Sequence, residues 1–61
     1  MIIRVHYFSE ICMDYVFKDI DIGLTCFCEN RVEEIEYALN QSLVYCKKHS
    51  VDFNGFEIIA E

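Results

Sequence analysis

The sequence predicts an α+β fold: a small antiparallel sheet with one helix packed on one face, in the order β-β-β-α-β, with β-β-α-β as the alternative. Three observations point there. The first part of the chain alternates apolar and polar residues with the period of a strand. Residues 30–49 carry apolar side chains at three- and four-residue steps, the period of a helix. A final apolar run, Phe56–Glu61, follows the turn pair Asn54-Gly55. The 61 residues form one domain, 1–61.

Ile2–Phe8 is the first expected strand, with Ile3, Val5 and Tyr7 on one face and Arg4, His6 and Phe8 on the other. Ser9–Met13 reads as a hairpin connection. Asp14–Ile22 alternates again, placing Val16, Ile20 and Ile22 with the first face and Tyr15, Phe17, Asp19 and Asp21 opposite. Gly23 suits a turn or bulge. Leu24–Cys28 then alternates as a short third strand, with Leu24, Cys26 and Cys28 inward and Thr25 and Phe27 outward, or as a continuation of the second strand past Gly23.

The helix is predicted over Asn30–His49. Asn30 followed by Glu33 has capping-box spacing. Glu29, Glu33, Glu34 and Glu36 crowd its start and Lys47, Lys48 and His49 its end, so both ends complement the helix dipole. Val32, Ile35, Leu39, Leu43 and Cys46 form the apolar stripe expected to pack on the sheet. Asn54-Gly55 is read as a loop leading into the last strand, or as the turn of a private hairpin between Val51–Phe53 and Phe56–Ile58.

One helix covers one face. The other face is therefore expected to show Phe8, Tyr15, Phe17 and Phe27, with Arg4 and His6 among them and Asp19 and Asp21 at its edge. The chain is 54% apolar, with five phenylalanines and four tyrosines, more than so small a domain hides easily. A homo-oligomer or a hetero-complex is expected.

The net charge is −6. All of it arises in residues 10–36, where Glu10, Asp14, Asp19, Asp21, Glu29, Glu33, Glu34 and Glu36 stand against Lys18 and Arg31. Nucleic-acid binding requires a basic patch to displace counterions, so a direct nucleic-acid partner is not expected. An acidic chain is attracted instead to basic protein surfaces. The start of the chain interrupts its apolar run with Arg4 and His6, unlike a secretory leader, and no stretch is long enough to span a membrane. A cytoplasmic protein with reduced thiols is expected.

Catalysis finds little support. Cys26 and Cys28 are one residue too close for the usual zinc knuckle; Cys12 and Cys46, or His6 or His49, would have to complete four ligands, and Cys26, Cys28 and Cys46 read instead as thiols packed like small hydrophobes. The Cys-x-x-Cys redox motif is absent. Neither His6 nor His49 has a nucleophile or carboxylate at a telling spacing. Asp19 and Asp21 alone make a weak cation site. No catalytic, metal or cofactor residue is assigned.

The run from Lys18 to Leu39, "KDIDIGLTCFCENRVEEIEYAL", resembles the strand, glycine turn, strand and capped helix of HicB-like antitoxins, over about residues 14–46. Asp19, Asp21, Gly23, Glu33 and Glu34 carry the likeness, and Ile22 stands where that family has proline. The resemblance implies a partial RNase H-like fold and an acidic protein that masks a basic, RNA-targeting partner.

Residues and resemblance converge on an acidic binding module that occludes the basic, nucleic-acid-binding or catalytic surface of a partner, as an antitoxin-like inhibitor or a viral anti-defence protein would. The partner-binding residues are Tyr15, Phe17, Phe27, Asp19, Asp21, Glu29, Glu33 and Glu36, aromatics at the centre and carboxylates at the rim. The alternative is a structural or accessory subunit that homodimerises through the uncovered aromatic face, with acid serving only solubility.

Overall fold

The computed structural model describes residues 1–23 and 30–60. Strand β1 (Ile2–Ser9) and strand β2 (Asp14–Asp21) form a hairpin, helix α1 (Arg31–His49) follows, and strand β3 (Asp52–Ala60) completes an antiparallel three-stranded sheet in the order β2-β1-β3. Among the described residues the order is therefore β-β-α-β, the alternative reading. The order β-β-β-α-β is not supported, because its extra strand falls at Leu24–Cys28, outside the described residues.

The β1–β2 register runs unbroken from Ile2 opposite Asp21 to Ser9 opposite Asp14. The alternation read from the sequence therefore holds on both strands. Ile3, Val5 and Tyr7 face α1 together with Val16 and Ile20, while Arg4, His6 and Phe8 share the outer face with Tyr15, Phe17, Asp19 and Asp21. The connection turns through Met13 at φ 55°, and Ser9 Oγ accepts from the Cys12 amide at 3.3 Å. Ile3 and Val5 are fully buried. Each such side chain contributes about 1.5–3 kcal/mol relative to its exposed state.

Helix α1 begins as the capping pattern requires. The Asn30 side chain accepts from the Glu33 amide at 3.0 Å. It ends in a Schellman arrangement: the Ser50 amide donates to the Lys47 carbonyl (3.3 Å), the Val51 amide to the Cys46 carbonyl (3.0 Å), and Ser50 adopts the left-handed conformation at φ 55°. No glycine marks this end, yet the predicted boundary at His49 is correct because the charge pattern and the loss of apolar period both stop there.

Two expectations are corrected. The stripe Val32, Ile35, Leu39, Leu43 and Cys46 is not the face that packs on the sheet. The helix buries Ala38, Ser42 and Cys46, flanked by Tyr37 and Tyr45. Val32, Ile35 and Leu43 are exposed, and only Cys46 of the predicted stripe is buried. Small side chains let the helix backbone approach the sheet closely, and the tyrosine rings supply the contact area at its margins. Tyr45 lies against Tyr7 with ring centroids 6.1 Å apart, and the Tyr37 hydroxyl donates to the Ile22 carbonyl at 3.1 Å. The Ser42 hydroxyl donates to the Ala38 carbonyl at 2.8 Å, so its burial leaves no polar atom unpaired.

The second correction concerns Asn54-Gly55, which makes neither a loop nor a private hairpin. β3 runs straight through it, and the register against β1 shifts between His6, opposite Gly55, and Tyr7, opposite Phe53. Asn54 is the extra residue of a β-bulge, and Gly55 supplies the positive φ, 141°, that it requires. The last strand therefore starts at Asp52 rather than Phe56.

Candidate functional site

The face of the sheet away from α1 is the candidate site. Strand alternation places Ile2, Arg4, His6 and Phe8 along its centre, Tyr15, Phe17, Asp19 and Asp21 along β2, and Asp52, Gly55 and Glu57 along β3. Direct cross-strand pairs then determine what meets what. Arg4 faces Asp19 and joins it through two bonds, Nε to Oδ1 at 2.8 Å and Nη2 to Oδ2 at 3.2 Å. The same guanidinium lies over the Phe17 ring, its carbon 4.3 Å from the ring centroid. His6 lies opposite Phe17, with ring centroids 6.0 Å apart, and its Nε2 is 3.6 Å from a Glu57 oxygen. Phe8 meets Tyr15 edge to face at 5.3 Å.

The result is a fixed aromatic ridge. Phe17 and Tyr15 remain 54% and 63% exposed while their neighbours hold their orientations. Beside the ridge, Gly55 lies opposite His6 with open space above it, where a Cβ would meet nothing within 4 Å. Asp19, Asp21, Asp52 and Glu57 give the face four carboxylates against the single guanidinium of Arg4. The Arg4 hydrogen bonds hold the Asp19 carboxyl below its ordinary range, and Asp19 in turn raises Arg4.

The predicted binding residues do not form one cluster. Tyr15, Phe17, Asp19 and Asp21 share the outer face as expected. Glu33 and Glu36 are exposed on α1, which packs on the opposite side of the sheet. Phe27 and Glu29 lie outside the described residues. Two of the carboxylates also have local roles. Asp19 is engaged with Arg4, and Asp21 accepts from the Gly23 amide at 2.9 Å. Asp52 and Gly55 were missed because β3 was expected to begin at Phe56; Glu57 lay inside the expected strand, but the strand's place beside β1, which sets Glu57 opposite Arg4, had not been assigned. The alternation of Asp52 with Phe53 was the available signal.

Cys46 is buried in the core and Cys12 exposed at the hairpin tip, while Cys26 and Cys28 lie outside the described residues. Among the described residues no three of His, Cys, Asp and Glu gather around a common point that could hold a metal ion. Nor does any described helix have the length and apolarity to cross a membrane. No protein-family model, curated protein or solved structure matches the chain.

Proposed function

We propose that this chain is a non-catalytic binding module that lays its open sheet face on a basic protein surface and masks it. The observation that carries this reading is the half-exposed Phe17–Tyr15 ridge set among an excess of carboxylates. Rigid aromatic side chains lose little entropy on docking and favour the centre of an interface. Surrounding carboxylates steer a cationic partner and reject an anionic one. Asp19 is already paired with Arg4, Asp21 accepts from the Gly23 amide and lies 4.0 Å from the N-terminal ammonium, and Glu57 lies 3.6 Å from His6, so Asp52 and the exposed oxygens of Asp21 and Glu57 are what meet incoming lysine or arginine.

A surface of lysine and arginine that must be masked is characteristic of proteins that engage nucleic acid. A nucleic-acid-targeting enzyme or complex in the cytoplasm is the partner class proposed, with the chain acting as an antitoxin-like or anti-defence inhibitor. Glu33 and Glu36, on the far side of the sheet, are not part of this surface.

The test is differential capture at low salt. Immobilised wild-type chain is compared with Phe17→Asp and with an Asp21→Lys/Glu57→Lys variant, each checked for unchanged circular dichroism. The expected result is a basic protein retained by the wild type, released at moderate salt and lost with both variants. Retention of the same protein by Phe17→Asp, or indifference to salt, would overturn the reading.

A further inference from the structure

Two features of this fold stand side by side without a covering element among the described residues. The first is the outer edge of β3. In the order β2-β1-β3 this strand pairs only with β1, so alternate backbone N–H and C=O groups along it point outward. The second is the strip Val32, Ile35, Leu39 and Leu43 on α1. At about 100° per residue, Leu39, Val32 and Leu43 lie roughly 80–120° around the helix from the midpoint of Ala38 and Ser42, and Ile35 roughly 40° around to the same side; Val32, Ile35 and Leu43 are 63%, 43% and 44% exposed. Tyr37, on the opposite flank, reaches Ile22 at the end of β2. The apolar strip therefore projects past β3, above the open strand edge.

We propose that a second copy of this chain covers both features. β3 pairs antiparallel with β3 of the second copy about a two-fold axis, joining the two sheets into one, and the two α1 helices pack antiparallel along their apolar strips. Because α1 rests across β3 and β1, its axis lies about one strand spacing inside the two-fold. The two helices then run roughly 8–10 Å apart, the ordinary distance for packed helices.

Charge decides for a second copy over an unrelated partner. Glu33, Glu34 and Glu36 stand at the start of α1 and Lys47 and Lys48 at its end. Antiparallel pairing sets each acidic end beside the other copy's basic end and also opposes the helix dipoles favourably. Glu36 and Lys47 border the strip on its solvent side, within reach of each other across the axis. A strand register centred on Phe56 places Glu57 opposite Gly55 of the second copy, avoiding facing carboxylates. The outer sheet face, in contrast, carries carboxylates in excess and would repel itself. It is therefore left free, and this inference does not depend on what binds there.

Four apolar side chains and a strand edge on each copy make an interface near the lower bound of stable ones, roughly 1,200 Å² in total, with dissociation expected around micromolar.

Sedimentation equilibrium and concentration-dependent amide exchange test the proposal on the intact chain. The expected result is a dimer whose assembly protects β3 and leaves Tyr15–Asp21 unchanged. Ile35→Lys and Leu43→Lys each alter an exposed position and should leave circular dichroism unaltered while weakening the dimer about 100-fold, since each leaves a charge in an apolar contact. Glu36→Lys should weaken it modestly, and Glu36→Lys/Lys47→Glu should restore it. Phe17→Asp should leave it intact. A monomer at millimolar concentration, a dimer indifferent to Leu43→Lys, or assembly-dependent protection of Tyr15–Asp21 instead of β3 would each overturn the proposal.

Discussion

The guanidinium of Arg4 lies over the ring of Phe17, 4.3 Å from its centroid, and the two-pronged bond to Asp19 holds it there. One cation thus has an aromatic and a carboxylate partner on the neighbouring strand. Asp19 is lowered from its ordinary value, first by the hydrogen bond from Arg4. The depressed folded value means that the pair's contribution is present above about pH 4, the unfolded carboxyl value, and is lost as pH falls through the folded one. An NMR titration should therefore show the Phe17 ring protons moving with a midpoint below that of a free aspartate. Asp19→Asn should produce the same displacement at neutral pH. If the ring resonances ignore both changes, Arg4 is not held over Phe17 in solution.

Alkaline pH acts on the other side of the sheet. Burial raises the Cys46 thiol above its ordinary value, and Tyr45, against Tyr7, is raised first by burial and then by that neighbour. Groups with raised folded values stabilise fully below their unfolded values, and that stability is lost as pH rises through the folded ones. The melting temperature should hold steady to about pH 9, where an unfolded thiol ionises, and decline above it. In a Cys46→Ala variant the decline should begin about one pH unit higher, where tyrosine takes over. A thiol reagent should modify Cys12 rapidly and Cys46 only at the rate of opening, measured in a Cys26→Ser/Cys28→Ser background. Equal rates would contradict the burial of Cys46.

Ser50 offers a stabilising change. It occupies the left-handed position after α1 that glycine usually fills. The steric cost of a Cβ there is partly offset by the greater freedom glycine gives the unfolded chain. Ser50→Gly should raise stability by about 0.5–1 kcal/mol, a few degrees in melting temperature for a domain of this size. Urea melts of the two proteins check it, and a loss of stability would show that the Ser50 side chain supports the cap.

Gly55→Ala isolates backbone strain from crowding. A Cβ on Gly55 meets nothing within 4 Å, but its φ of 141° is one that side-chain-bearing residues rarely adopt. Destabilisation of about 1–3 kcal/mol is expected, with β1–β3 cross-strand contacts retained by NMR. A neutral substitution would mean that the bulge shifts its register at little cost.

These positions also show where sequence pattern informs and where it misleads. Alternation located β1 and β2 and sorted their faces because burial on one side of a sheet imposes period two directly. The Asn30–Glu33 spacing located the helix start because capping is a local contact. The packing face of α1 was not legible in the same way. Ala38, Ser42 and Cys46 are small, and their burial follows from how closely the helix approaches β1 and β3. The stronger apolar period of Val32, Ile35, Leu39 and Leu43 pointed away from the chain's own core. Asn54-Gly55 misled for another reason. Positive φ serves a hairpin turn and a bulge alike, and only the length of β1 beside it decides between them. Of the binding residues, the β2 aromatics followed from alternation, while Glu33 and Glu36 were grouped with them by charge alone, which carries no information about layer.

The order β2-β1-β3 has a bearing on how the molecule comes into being. β1 is made first and its hairpin partner β2 follows directly in the chain, but its second partner, β3, arrives only after the helix has been made. Closing that long loop is the slow, entropically costly step. Until it closes, one side of β1 is bare, and Ile3 and Val5 lack Ile58 and Phe56 beside them. Nascent chains are therefore most vulnerable to sticking together just before β3 docks, and conditions that delay this step should lower the yield of folded protein without altering its final stability.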